Sequence, residues 1–158
     1  MTPLEVASGV AIVGSILAVS VPAFVRNLHA SRLIEPIDGL ERIAVRATAL
    51  AAGRPAEFAY PPSAEQAPEQ VPRGKPVTDP AQTWDRPTWR SLDFSFTLPH
   101  SYSFAFESHN TPGHATFYAV SHGDLDGDGL ESTFEISGES KDGQEPTIFP
   151  MESHREVE

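Results

Sequence analysis

Met1-Thr-Pro-Leu-Glu5-Val-Ala-Ser-Gly-Val10-Ala-Ile-Val-Gly-Ser15-Ile-Leu-Ala-Val-Ser20-Val-Pro-Ala-Phe-Val25 is the stretch on which the reading of this chain turns. Its single charge is Glu5, and the next is Arg26. A helical run of about twenty apolar residues, at about 1.5 Å of rise each, matches the roughly 30 Å hydrocarbon core of a bilayer. A lone acid at its head costs several kcal/mol to bury unless a partner meets it. A cleavable secretory signal needs a basic n-region and a small-residue cleavage site. Residues 1–5 carry an acid instead, and Ser20-Val-Pro-Ala-Phe24 lacks a clean small-x-small ending. The segment is therefore expected to stay in the working protein.

The spacing within this run resembles the N-terminal helix of type IV pilins and of the related pseudopilins of type II secretion. Thr2, Leu4, Glu5, Gly14, Pro22, Ala23 and Phe24 stand in the family register, over a resemblance of about fifty residues. Met1 replaces the commoner Phe, Pro3 is unusual, and Ala7-Ser8-Gly9 is less apolar than the family pattern. With Glu5 in mature register, the sequence reads as a form processed after a leader ending in Gly; the alternative is that Met1 is the initiator. The resemblance implies an α+β fold: a long N-terminal helix, hydrophobic in its first half, packed on a four-stranded antiparallel sheet. It implies insertion of 1–25 in the bacterial inner membrane with the head outside, followed by polymerisation with itself or with other pilins through the pilus assembly machinery. It also implies roles for Met1, Glu5, Gly14 and Pro22. Glu5 would neutralise the Met1 amine of an adjacent subunit, and helix would be lost between Gly14 and Pro22 on assembly.

Composition bounds the remainder. The chain's 158 residues suffice for a rod and one head. Residues 1–53 balance four acids (Glu5, Glu35, Asp38, Glu41) against four arginines (Arg26, Arg32, Arg42, Arg46), so the whole net charge of -11 falls after them. An acidic head is repelled by nucleic acid, and no nucleic-acid partner is expected. Cysteine is absent, so no disulfide can hold the C-terminal region.

Five segments follow. Residues 1–25 form the membrane or filament-core helix. Residues 26–53 form an amphipathic half with a stripe of Leu28, Leu33, Ile37, Leu40, Ala44, Ala47 and Ala51. Pro36 and Gly39 predict a kink or local break there, Gly53 a C-cap, and Pro55 a stop. Residues 54–90 carry eight prolines from Pro55 to Pro87 and read as an extended loop. That loop ends in Trp84 and Trp89, which serve either as a partner surface or as pins onto the sheet. Residues 91–137 alternate with period two around Phe94–Leu98, Tyr102–Phe106, Phe117–Val120 and Phe134–Ile136, which predicts a four-stranded meander. Residues 138–158 read as an acidic surface wrap or loose tail.

One motif carries metal chemistry. Asp124-Leu-Asp-Gly-Asp128-Gly-Leu-Glu-Ser132-Thr-Phe-Glu135 fits the twelve-residue D-x-[DN]-x-[DN]-G-x5-E calcium pattern. Three close acids repel one another unless a cation neutralises them. Asp124, Asp126 and Asp128 would supply carboxylates, Leu130 its carbonyl, Ser132 its hydroxyl directly or through water, and Glu135 the closing carboxylate of a Ca2+ shell. The flanks, however, read as strands rather than helices, and Asp-Gly is also an ordinary hairpin turn. The two readings stay open together. The six histidines lack metal-ligand spacing. No nucleophile elbow, thiol or glycine-rich phosphate loop is present, so no enzymatic activity is expected. The expected role is a structural pilus-like subunit. Its alternatives are a pseudopilin and a membrane-anchored calcium module that does not polymerise.

Overall fold

The computed structural model describes residues 33–155, together with Ala18. The helix expected over 1–25, the assembly residues Met1, Glu5, Gly14 and Pro22, and Leu28 of the stripe lie outside the described residues. Among those described, no helix is long and apolar enough to cross a membrane.

Helix α1 (Ile34–Ala51) buries Pro36, Leu40, Ile43, Ala44, Ala47 and Ala51 along one stripe at three- and four-residue steps. Pro36 lies in its first turn, where a backbone donor has no helical partner to lose. The helix therefore runs unbroken past Pro36 and Gly39, against the kink that these residues predict. Gly53 follows at φ 73°, the left-handed conformation that ends helices.

Six strands form one antiparallel sheet: β1 (Ala64–Ala67), β2 (Tyr102–Thr111), β3 (His114–Gly123), β4 (Ser132–Lys141), β5 (Thr147–Ile148) and β6 (Glu152–His154). Their order is β1-β2-β3-β4-β5, with β6 also on β4. The expected fold class is corrected here. The described helix is an 18-residue element rather than a long rod, and the sheet has six strands rather than four.

The differences have local causes. Phe94, Phe96 and Leu98 alternate as a strand would, yet this stretch pairs with nothing in the sheet. The Phe94 and Phe96 rings turn instead into an aromatic cluster with Trp84, Phe104 and each other. The proline-rich segment is not all loop, because it contributes edge strand β1 and a short helix α2 (Pro87–Ser91) that begins on proline. Trp84 and Trp89 are buried and meet edge-to-face at 5.5 Å, so they pin this segment to the core. The acidic tail is not loose as far as His154. β5 pairs Gly138 with Ile148, and β6 pairs Thr133 with His154, which ties the chain to β4 without a disulfide.

Strands β3 and β4 bury alternate residues, and the core runs through Tyr102, Phe104 and Phe106 of β2 with Ala115, Phe117, Ala119, Phe134 and Ile136. Tyr102 faces Gly123 and Phe117 faces Gly138 across the strands. In each pair the ring occupies the space that a Cβ on the glycine would fill.

Candidate metal centre

The rung Gly123–Ser132 closes the β3–β4 ladder, and residues 124–131 bridge it as an acidic loop. Asp124 is buried, while Asp126 and Asp128 are exposed. Backbone donors fold the loop onto its own acids. Gly127 N donates to Asp124 Oδ1 at 2.8 Å and Gly129 N to Asp124 Oδ2 at 3.1 Å. Asp128 N donates to Asp126 Oδ1 at 3.0 Å and Leu130 N to Asp128 Oδ1 at 2.7 Å. Gly127 and Gly129 take φ of 83° and 94°, a conformation open to glycine at little cost, and so the loop curls around the carboxylates.

One carboxylate oxygen from each of Asp124, Asp126 and Asp128 lies within 4.8 Å of the others. Oxygens bound to one calcium ion at about 2.3–2.6 Å stand at most about 5 Å apart. The three aspartates could therefore hold one metal ion, and they are the one such group of acids and histidines among the described residues.

Ser132 and Glu135 of the predicted shell do not join the three aspartates. Ser132 is fully buried, and its hydroxyl donates to the Gly123 carbonyl at 3.1 Å, closing the hairpin rather than facing the acids. Glu135 sits along β4 opposite Val120 and Glu152 and is outside the cluster. The cause is the outgoing element. Three residues of helix would advance about 4.5 Å, whereas three of strand carry Glu135 about 10 Å from Ser132. Leu130 contributes its backbone N–H to Asp128 and exposes its side chain.

A basic neighbour enters that no motif announces. Arg73 lies beside the loop, with Nε 3.8 Å from Asp124 Oδ2, and Gly74 N donates to the Asp124 carbonyl at 2.8 Å. The proline-rich segment thus reaches across to the loop and offers a cation of its own.

No protein-family model, curated protein or solved structure matches this chain. What the loop can do chemically follows from its own atoms. It has three hard oxygen donors and no imidazole or thiol, a set suited to calcium, magnesium or manganese rather than to zinc or copper.

Proposed function

We propose that this chain is the structural subunit of a type IV pilus or pilus-like filament, polymerising through its apolar N-terminal segment. The observation that carries the reading is the spacing of Glu5, Gly14 and Pro22 inside one apolar run. Before assembly, residues 1–25 anchor the chain in the bacterial inner membrane with the acidic head outside. On assembly they move to the filament core, alone or with other pilins, under the pilus assembly machinery. Glu5 and the Met1 amine of a neighbour attract strongly in that low-dielectric core, and either one unpaired is heavily penalised. The role is structural and not catalytic.

In this reading the loop of Asp124, Asp126 and Asp128 takes Ca2+, with the Leu130 carbonyl as a further ligand and water filling the positions that Ser132 and Glu135 leave open. Exposed Asp126 and Asp128 leave room for that water. The ion also neutralises part of a head that holds the chain's entire net charge of -11.

The same loop favours a second assignment, a pseudopilin of a type II secretion system, since some pseudopilins use calcium to order their C-terminal regions. Glu5→Ala tests both filament readings against a non-polymerising anchored module. Filament yield should collapse while the membrane-bound level of the chain holds. Normal yield from the variant would remove the assembly role of Glu5.

A further inference from the structure

The sheet has two faces, and α1 lies on one of them. Phe104, Phe106, Phe117, Ala119, Phe134 and Ile136 turn to the core, where Gly39 of α1 meets Phe104. The residues between them turn the other way. Two rows cross that second face from strand to strand, Ala105–Val120–Glu135–Glu152 and Glu107–Tyr118–Ser137. Ala105 and Val120 are half-buried, and Tyr118 beside them is 44% exposed. With Glu65 of β1 and Glu107 they line a hollow of about 310 Å³. Its floor is apolar and its margin is acidic.

We propose that this face is a docking surface for a basic partner polypeptide, one that sets apolar side chains on Ala105, Tyr118 and Val120 and arginine or lysine around them. Charge decides the occupant. Among the described residues, Glu65, Glu107, Glu135 and Glu152 have no ion-pair partner. Lys141 is the one lysine or arginine in the six strands, and Glu139 already holds it at 2.6 Å. A second copy presenting the same face would set these carboxylates against their own kind, which repels.

A basic surface gains on both counts. Apolar area leaves water at the centre of the contact, and ion pairs form at its polar margin. Arginine has a further contact available, because its guanidinium packs on an exposed tyrosine ring while its methylenes lie along apolar neighbours. The surface belongs wholly to the strands and owes nothing to the N-terminal segment. It therefore stands or falls apart from the assembly reading.

Fluorescence anisotropy of a labelled Arg-Arg-Leu-Leu-Arg-Arg peptide, titrated with the full chain in uncharged detergent micelles and read against empty micelles, tests the surface. The peptide should bind, and its Glu-Glu-Leu-Leu-Glu-Glu counterpart should not. Tyr118→Ala and Glu107→Gln alter exposed side chains and leave the core alone, and each should weaken binding about fivefold or more. Glu145→Gln removes the same charge from the exposed β4–β5 turn and should change affinity less than about twofold. Absence of binding would overturn the proposal. Equal losses in all three variants would do so too, because they describe attraction to net charge alone. Self-association of the chain that Tyr118→Ala abolishes would give the face to a second copy and overturn it as well.

Discussion

Phe104 lies across Gly39: a Cβ placed on the glycine would stand 2.6 Å from Cε1 and Cζ of the ring. The glycine lies in the second turn of α1, inside the helix, where it costs about 1 kcal/mol of helix stability relative to alanine. It is there because the helix must approach β2 at this point. Phe104 in turn stacks on Phe96 and meets Phe94 edge-to-face, so the ring has little room to yield.

Gly39→Ala should therefore destabilise the head even though it improves the helix. Overpacking costs of up to about 3 kcal/mol outweigh a propensity gain of about 1 kcal/mol, leaving a net loss of up to about 2 kcal/mol in urea unfolding. A more stable variant would show that α1 does not press on β2 here.

The acidic loop has one buried acid, Asp124, and two exposed ones, Asp126 and Asp128. Asp124 satisfies Gly127 and Gly129, so Asp124→Asn turns one amide nitrogen toward a backbone N–H and should cost about 1–3 kcal/mol without any metal. Asp126→Asn should leave that stability nearly unchanged and weaken the response to calcium. For the native chain, calcium at about a hundred times its dissociation constant should raise stability by about 2.7 kcal/mol, read as a shift in thermal midpoint. Arg73→Gln removes the cation already beside Asp124 and should tighten calcium binding several-fold. Calorimetry that detects no calcium binding to the native chain would return the loop to a plain turn.

Glu35 gives a pH dependence with a definite sign. Burial raises its pKa above the ordinary 4.5, and the Ser101 and Tyr102 amides and His100 only partly offset this. Ionised Glu35 therefore lowers stability at neutral pH, and that loss disappears as the pH falls through its raised value toward 4.5. Glu35→Gln keeps an oxygen for both amides and carries no charge. It should be more stable than the native chain at pH 7, with the gap closing toward pH 4 in parallel denaturant titrations. A gap that widens on acidification would contradict this assignment.

Among the described residues the buried Tyr60 hydroxyl has no hydrogen-bond partner, and its ring meets Phe117 edge-on at 5.1 Å. Burial, and then the nearby charge of Glu139, push its pKa up to about 12. Tyr60→Phe should remove a tyrosinate absorbance step near pH 12. It should change stability by less than about 0.5 kcal/mol, because no bond is lost with the hydroxyl.

The sequence was legible where a pattern was long and local. Tyr102, Phe104 and Phe106 mark β2, Phe117 and Ala119 mark β3, Phe134 and Ile136 mark β4, and α1 shows its stripe from Leu40 to Ala51. Strands β5 and β6 are two and three residues long and have no period to detect. Phe94 to Leu98 misled because alternation records burial on one side and not backbone pairing; Leu98 is 73% exposed. The three aspartates were visible as a motif, but the direction of the outgoing chain decides whether Glu135 can join them. Arg73 and the Asp79–His100 pair come from segments far apart in the chain, and no local spacing reveals such partners.

The central claim is assembly, and imaging of material sheared from the surface of cells that produce the full chain tests it most directly. The account predicts thin filaments built from this chain, with residues 1–25 at the core and the acidic heads outside. Recovery of the chain at normal levels only as detergent-soluble monomers in the membrane fraction, with no filaments in the sheared material, would contradict it.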